Sequence, residues 1–291
     1  MKNTLQMNYW TIGGFEGGKP PVEALEDAKK MGLDGVELCF DGKEFGPGIS
    51  EKRCREIRKA ARELDMTIES LASGFYWGAS LGSTRKGERQ KAVTYTKEYL
   101  QVARWVGAKV VLVVPGAVAV PWDESRPVVP YQDVWTHSTA SIRQCLPVAK
   151  KLGVTMGIEN VWNWFLADPV AMKTYVDQFK SSRVKCYLDV ANCAINGFAE
   201  HWIEILGKRR LGAVHVKNFS RDDCGGTLHG FGDDLLKGDV DMVAVRKALK
   251  RVGYAGPITA EMIPFSRLPD LVLPDMKMAR DTAKKMKKVF G

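Results

Sequence analysis

Along most of the chain an amphipathic, helix-period stretch closes on a glycine, and a short run of β-branched and aliphatic residues follows at once. The instances are "KKMGLDGVEL", "ARWVGAKVVLVV", "KKLGVTMGIE" and "KRVGYAGPITAE", with a looser copy at "EILGKRRLGAVHV". Glycine just past a helix takes positive φ without a Cβ penalty, and near-continuous Val and Ile runs suit strands covered on both faces. Helix starts carry matching signals: Pro20 and Pro21 before "VEALEDAKK", Ser50 before "EKRCREIRKAARE", Asp168 with Pro169, and Asp239 before "VDMVAVRKALK". The pattern predicts eight strands, at about 5–10, 33–39, 66–72, 109–114, 154–159, 184–189, 211–217 and 256–262. Seven helical segments lie between them and one follows the last, with no linker-like stretch dividing the series. The expectation is an α/β fold, a (β/α)8 TIM barrel forming one domain over residues 1–291. A doubly wound open sheet is the rival, but no G-x-G-x-x-G or G-x-x-x-x-G-K-[ST] run gives it a nucleotide site.

Alternate residues of a barrel strand point to the interior and to the helices, so parity is readable from sequence. In "VTMGIE", Val154, Met156 and Ile158 share one parity, and Thr155, Gly157 and Glu159 the other. The same split sets Lys185, Tyr187 and Asp189 inward in "VKCYLD", Ala213, His215 and Lys217 in "GAVHVK", and Thr259 and Glu261 in "ITAE". Four consecutive strands thus place Glu159, Asp189, His215 and Glu261 inside, near the C-terminal ends where barrel active sites are built.

Three carboxylates in a partly dry mouth repel one another, and burying each unpaired costs several kcal/mol. Either Lys185, Lys217 and Arg221 neutralise them as an internal ion network, or a cation sits among them. The set as a whole favours one divalent metal ion: three oxygens and an imidazole suit Mn²⁺, Mg²⁺ or Co²⁺, with Zn²⁺ as a further alternative, and Mn²⁺ is the favoured expectation.

Composition is that of a globular chain, with 45% hydrophobic and 26% charged residues, and no run long enough to span a bilayer. "MKNTLQMNYW" carries no apolar stretch of signal-peptide length, so a cytoplasmic location is the default expectation. Six cysteines (Cys39, Cys54, Cys145, Cys186, Cys193, Cys224) form no C-x-x-C pair and read as reduced, packed thiols. The net charge of +9 sits largely in amphipathic helices such as "RDTAKKMKKVF", which is a solvated helix face rather than a nucleic-acid surface. Homo-oligomerisation through outer helices leaves no sequence motif either way.

With these residues in hand, the chain resembles the sugar phosphate isomerase/epimerase family of xylose-isomerase-like barrels, which includes ketose 3-epimerases, hydroxypyruvate isomerase and inosose dehydratase. The resemblance runs nearly end to end through "GIENVWNWF", "CYLDVANCAINGFAEHW", "AVHVKNF", "LLKGDVD" and "ITAEM". It implies that Glu159, Asp189, His215 and Glu261 hold the metal, and that Glu159 and Glu261 also act as the acid/base pair. It implies a substrate contact for Arg221, six residues after the metal histidine. Where the family often has D-x-x-H after the sixth strand, this chain has Asp189 to Asn192, so Asn192 stands at a substrate-contacting position with an amide in place of an imidazole. Leu166 stands about where several 3-epimerases have another carboxylate.

The chemistry implied is metal-dependent isomerisation or epimerisation of a ketose or ketose phosphate by proton transfer through a cis-enediolate. The alternative from another class is a lyase or dehydratase acting on a cyclic polyol ketone or a 3-oxo-glycoside through the same enolate. Lys217 and Arg221 are candidates to bind a phosphate or orient a hydroxyl, and Glu37, inward on strand two, is a candidate substrate contact. Trp10, Trp77, Trp162 and Trp164 near strand ends are candidates to stack on a sugar ring. His229, in the Gly-rich "CGGTLHGFGDDLLKGD", is a candidate lid residue. A related three-zinc endonuclease needs more imidazoles than His137, His201, His215 and His229 supply, so no nucleic-acid or membrane partner is expected, only a small sugar.

Overall fold

Every predicted apolar run forms a parallel strand, and the eight close in chain order, with β8 pairing back onto β1. The computed structural model describes residues 3–123, 125–224, 230–263 and 273–291. The strands are β1 (Thr4–Asn8), β2 (Gly35–Cys39), β3 (Ser70–Ala72), β4 (Val110–Val113), β5 (Thr155–Glu159), β6 (Val184–Asp189), β7 (Leu211–Val216) and β8 (Pro257–Ala260). Helices α1 (Pro21–Lys30), α2 (Glu51–Glu63), α3 (Lys86–Val106), α4 (Tyr131–Leu152), α5 (Pro169–Asp177) and α6 (Ala199–Arg210) alternate with them. The short α7 (Arg221–Cys224) and then α8 (Met242–Arg251) lie between β7 and β8, and α9 (Met276–Phe290) follows.

The ends of these elements are set by local chemistry. Ser50 accepts from the Arg53 N–H, and Asp168 from those of Val170 and Ala171, each pairing an orphan donor of the first turn. Gly107 (φ 100°) and Gly153 (φ 72°) end α3 and α4 in the left-handed region, turning the chain straight into β4 and β5. The predicted Asp239 cap is displaced by two residues. Asp241 caps α8 through the Val243 and Ala244 N–H groups, while Asp239 accepts from the Arg221 backbone.

Parity works as read from the sequence. Val154, Met156 and Ile158 are fully buried between sheet and helices, while Glu159 faces the barrel mouth. All six cysteines are free and buried. Among the described residues no helix is long and apolar enough to cross a membrane.

The barrel interior is polar for a packed core, and several of its polar groups are tied across strands. Gln6 on β1 donates to Ser70 and Thr259 at 3.0 and 3.1 Å. Tyr187 on β6 is wholly buried and its hydroxyl reaches Glu37 and Ser70 on the far side. Gly157 makes room for that ring, since a Cβ there would stand 2.9 Å from Tyr187 Cδ2 and 3.2 Å from Val110 Cγ1.

Candidate metal centre

Parallel register brings the four inward strand-end residues together. Asp189 and His215 are direct partners between β6 and β7, Glu159 pairs beside Tyr187 on β6, and Glu261 stands just past β8, its N–H bonded to the Val216 carbonyl. All four are buried, and each offers a ligand atom within 4.8 Å of the others. His215 Nδ1 lies 3.5 Å from Glu261, 3.8 Å from Glu159 and 3.9 Å from Asp189.

Each ligand is aimed by a neighbour. Asp189 Oδ1 accepts from the Ala191 and Asn192 N–H groups at 2.9 Å, which leaves Oδ2 turned to the cluster. Asn160 clamps the same residue from β5: its Oδ1 accepts from the Asp189 N–H at 2.8 Å and its Nδ2 donates to the Asp189 carbonyl at 2.9 Å. His215 Nε2 lies 2.6 Å from Glu37 Oε1. A carboxylate can only accept there, so Nε2 carries the proton, and Nδ1 is the nitrogen left for a ligand.

Glu37 therefore has a different place from the substrate contact expected of it. It is 0% exposed, lies beneath the ligands, and does not line the cavity. Its carboxylate accepts from Asn8 at 2.8 Å, from Ser70 at 2.5 Å and from Tyr187, besides His215. Burial alone would raise its pKa, yet His215, Ser70 and Tyr187 hold it below the usual carboxylate range. Asn8, Tyr187 and Asn160 are residues the sequence reading did not single out. Asn8 and Tyr187 share the inward parity of their strands, which was the available signal.

Lys217 enters the cluster as a cation, its Nζ 2.8 Å from Asp189 Oδ2 and 2.7 Å from Glu261 Oε2, over the Phe231 ring at 5.0 Å. Burial works against its charge, but Asp189, Glu261 and Glu159 hold its pKa above the usual lysine value. The other two cations of the expected ion network are elsewhere. Lys185 is depressed by burial and by Arg183 and Lys208, and Arg221 bonds Asp239 at 3.1 Å with its guanidinium over Phe198.

The residues fit a divalent ion on this structure's own terms. His215 Nδ1 is buried with no hydrogen-bond partner, although three carboxylates surround it. Burial works against an imidazolium, yet Glu261 and Glu37 hold His215 well above its ordinary pKa. Burial, opposed by His215 and reinforced by Glu261 and Asp189, pushes Glu159 up to about 7. Lys217 and protons on these groups balance part of the negative charge, and an ion of charge +2 accepted by three oxygens and Nδ1 would displace those protons.

The cluster forms one wall of a cavity of about 720 Å³, which Glu159, Glu261, Lys217, Asn192 and Trp162 line. Asn192 Nδ2 donates to the Asn160 carbonyl, and Trp162 packs on Phe219 and Phe231 with centroids 4.9 and 5.8 Å apart. Trp10 and Trp77 line it as well, whereas Trp164 and Leu166 line two smaller cavities to the side. Arg221 is not among the lining residues, and His229 lies outside the described residues.

Among solved structures the chain is similar to D-psicose 3-epimerase from Clostridium cellulolyticum H10, with 17% identity, a TM-score of 0.78, and 98% of each chain covered. It is also similar to a 3-keto-D-glucoside 4-epimerase from E. coli, with 15% identity and a TM-score of 0.74, covering 99% of this chain and 100% of that one. An uncharacterized protein of Methanocaldococcus jannaschii is 21% identical over 246 residues, 82% of this chain and 78% of that protein. At these identities the solved structures speak for the fold, the same closed barrel. The model of the xylose isomerase-like TIM barrel family matches residues 25–289, and the chain belongs to that family.

Proposed function

We propose that this protein moves a proton on the carbon next to a sugar carbonyl, epimerising or isomerising the sugar, with Glu159 and Glu261 as the acid/base pair. The observation that carries the reading is that these two carboxylates belong to the buried four-residue cluster and also line the large cavity. A group that lines the cavity can touch substrate, and one that titrates near neutrality can both take and give a proton. Burial sets Glu159 at about 7, inside that range.

Glu159, Asp189, His215 and Glu261 would hold one divalent ion, Mn²⁺ by preference. When bound it supplies an electrophile that acidifies the C–H beside a carbonyl. One glutamate removes the proton, and the electron pair of the broken C–H bond moves toward the carbonyl oxygen. Return of a proton to the opposite face of the same carbon gives the epimer, and return to the former carbonyl carbon, with the proton of the adjacent hydroxyl passing to the former carbonyl oxygen, gives the aldose or ketose isomer. Glu37 and Asn160 keep His215 and Asp189 in place through these steps, and Trp162 and Asn192 shape the wall beside the sugar. The names of the two similar epimerases point to the same class of substrate.

The test is solvent exchange. Protein supplied with Mn²⁺ and incubated in D₂O with ketoses, ketose phosphates and keto-glycosides is read by NMR. Deuterium appearing at the carbon next to the carbonyl, and lost in Glu159→Gln or Glu261→Gln with metal still bound, is the expected result. Absence of wash-in with every sugar turned over would overturn it.

A further inference from the structure

Among the described residues Lys217 is the only lysine or arginine that is buried, one position past the end of β7 and on the same inward parity as His215. Its side chain joins the cluster to the cavity. It lines the cavity, its ammonium lies over the Phe231 ring at 5.0 Å, and it ends on the carboxylates. The oxygens it holds are ones an ion would need. Nζ donates to Glu261 Oε2 at 2.7 Å and stands 2.8 Å from Asp189 Oδ2, while Asp189 Oδ1 is taken by the Ala191 and Asn192 N–H groups. The contact with Asp189 is an ion pair without a hydrogen bond, because Oδ2 is buried and has no donor aimed at it.

Two cations compete for these atoms. An ion bound through Asp189 Oδ2 and Glu261 Oε2 would face the ammonium across the same oxygens, and charges of that sign repel strongly where water is excluded. The ion supplies two positive charges against three carboxylates, which leaves one negative charge for the ammonium to balance from close by. The cavity gives it that place, since Lys217 already lines it and the face of the Phe231 ring attracts a cation.

We propose that Lys217 holds the place of the metal ion in the metal-free protein, and that the ion, on binding, takes both oxygens and turns the ammonium into the cavity as a donor to the sugar. A buried cation keeps three buried acids from standing unpaired before metal arrives. Handing them over makes the donor available to substrate only when the site is loaded. The inference rests on the four-residue cluster being the metal site and on proton transfer taking place there.

The experiment measures Mn²⁺ binding by calorimetry, and Tm with and without Mn²⁺, in the parent, Lys217→Met and Lys217→Gln. Both variants are expected to bind Mn²⁺ at least about tenfold tighter, the size of shift that one charge a few ångström away makes in a proton equilibrium. Their metal-free Tm should fall, and their Mn²⁺-saturated Tm should return to that of the parent. Exchange in D₂O, on a sugar the parent exchanges, should drop about a hundredfold in the loaded variants, as when one donor to a developing oxyanion is removed. Affinity that is unchanged or weaker in a folded variant, or exchange that is unchanged, would overturn the proposal. So would a crystal structure of the Mn²⁺-loaded parent with Nζ still within about 4 Å of either oxygen, a measurement that decides without any variant. A parent that binds no Mn²⁺ overturns the metal site and this inference together. A parent that binds Mn²⁺ but exchanges no sugar loses the proton transfer, while the affinities and the crystal structure still decide the handover.

Discussion

Glu37 and His215 meet inside the barrel, Oε1 2.6 Å from Nε2, and neither residue has any exposed surface. The contact fixes which imidazole nitrogen faces the three carboxylates, as a carboxylate behind a metal-binding histidine does. In Glu37→Gln the side chain keeps its shape, but a single amide oxygen replaces a carboxylate that serves Asn8, Ser70, Tyr187 and His215. The expected outcome is Mn²⁺ binding weakened by about 10–100-fold, measured by calorimetry on protein whose circular dichroism is unchanged. Unaltered affinity would show that His215 is not oriented by this contact.

Metal binding is expected to tighten as pH rises. Glu159, raised to about 7, and His215, held well above its ordinary value, both keep protons in the folded metal-free protein where the unfolded chain releases them. The sign is the same for both. The folded state binds more protons from about pH 4.5 upward for Glu159 and above about 6.5 for His215, so metal-free stability falls as pH climbs through that range. A divalent ion must displace those protons, and its affinity changes by about 1.4 kcal/mol per pH unit for each one. The rise in Tm on adding Mn²⁺ should be larger at pH 8 than at pH 6. An equal or smaller rise at pH 8 would contradict the placement of the ion at these groups.

The barrel was readable in the sequence because each unit repeats the same local physics, a helix stopped by glycine and a strand buried on both faces. Parity then placed Glu159, Asp189, His215 and Glu261 inside without any knowledge of contacts. Parity gives the side of the sheet but neither the depth nor the partner, and that is why Glu37 was misplaced. Its partner His215 is 178 residues away, a pairing that only the closed barrel creates. Arg221 shows the opposite limit. The family resemblance implied a substrate contact for it, but Asp239 takes both its backbone N–H and its guanidinium.

Arg221→Ala is accordingly expected to leave kcat/KM within about threefold of the parent, and to cost at most about 1 kcal/mol of stability, since the Asp239 pair is well exposed. A hundredfold loss of kcat/KM, measured on whichever sugar exchanges in D₂O, would return Arg221 to the substrate.

Gly157→Ala tests the packing of the interior. The added methyl would stand 2.9 Å from the Tyr187 ring, 3.0 Å from Tyr187 Cβ and 3.2 Å from Val110, and Tyr187 is tied to Glu37 and Ser70 and cannot swing away without breaking those bonds. Overpacking of this kind costs about 1–3 kcal/mol. The loss should appear in chemical denaturation as a lower midpoint with an unchanged slope. Gly157→Ala with parental stability would mean that the Tyr187 ring has slack that its hydrogen bonds do not suggest.

Asn160 is the joint between the β5 and β6 ends. Its side chain bonds both the N–H and the carbonyl of Asp189, and its own carbonyl accepts from Asn192. Asn160→Ala strips the Asp189 backbone of two partners at a buried position, where each unpaired group costs about 1–3 kcal/mol. Because the carboxylate of Asp189 moves with its backbone, the damage should not stop at stability. Mn²⁺ affinity is expected to fall together with Tm, whereas in Gly157→Ala stability should fall with metal affinity nearly kept. If Asn160→Ala lowers Tm and leaves the Mn²⁺ dissociation constant at the parental value, then the Ala191 and Asn192 N–H groups and Lys217 suffice to hold Asp189, and the bridge from Asn160 is structural only.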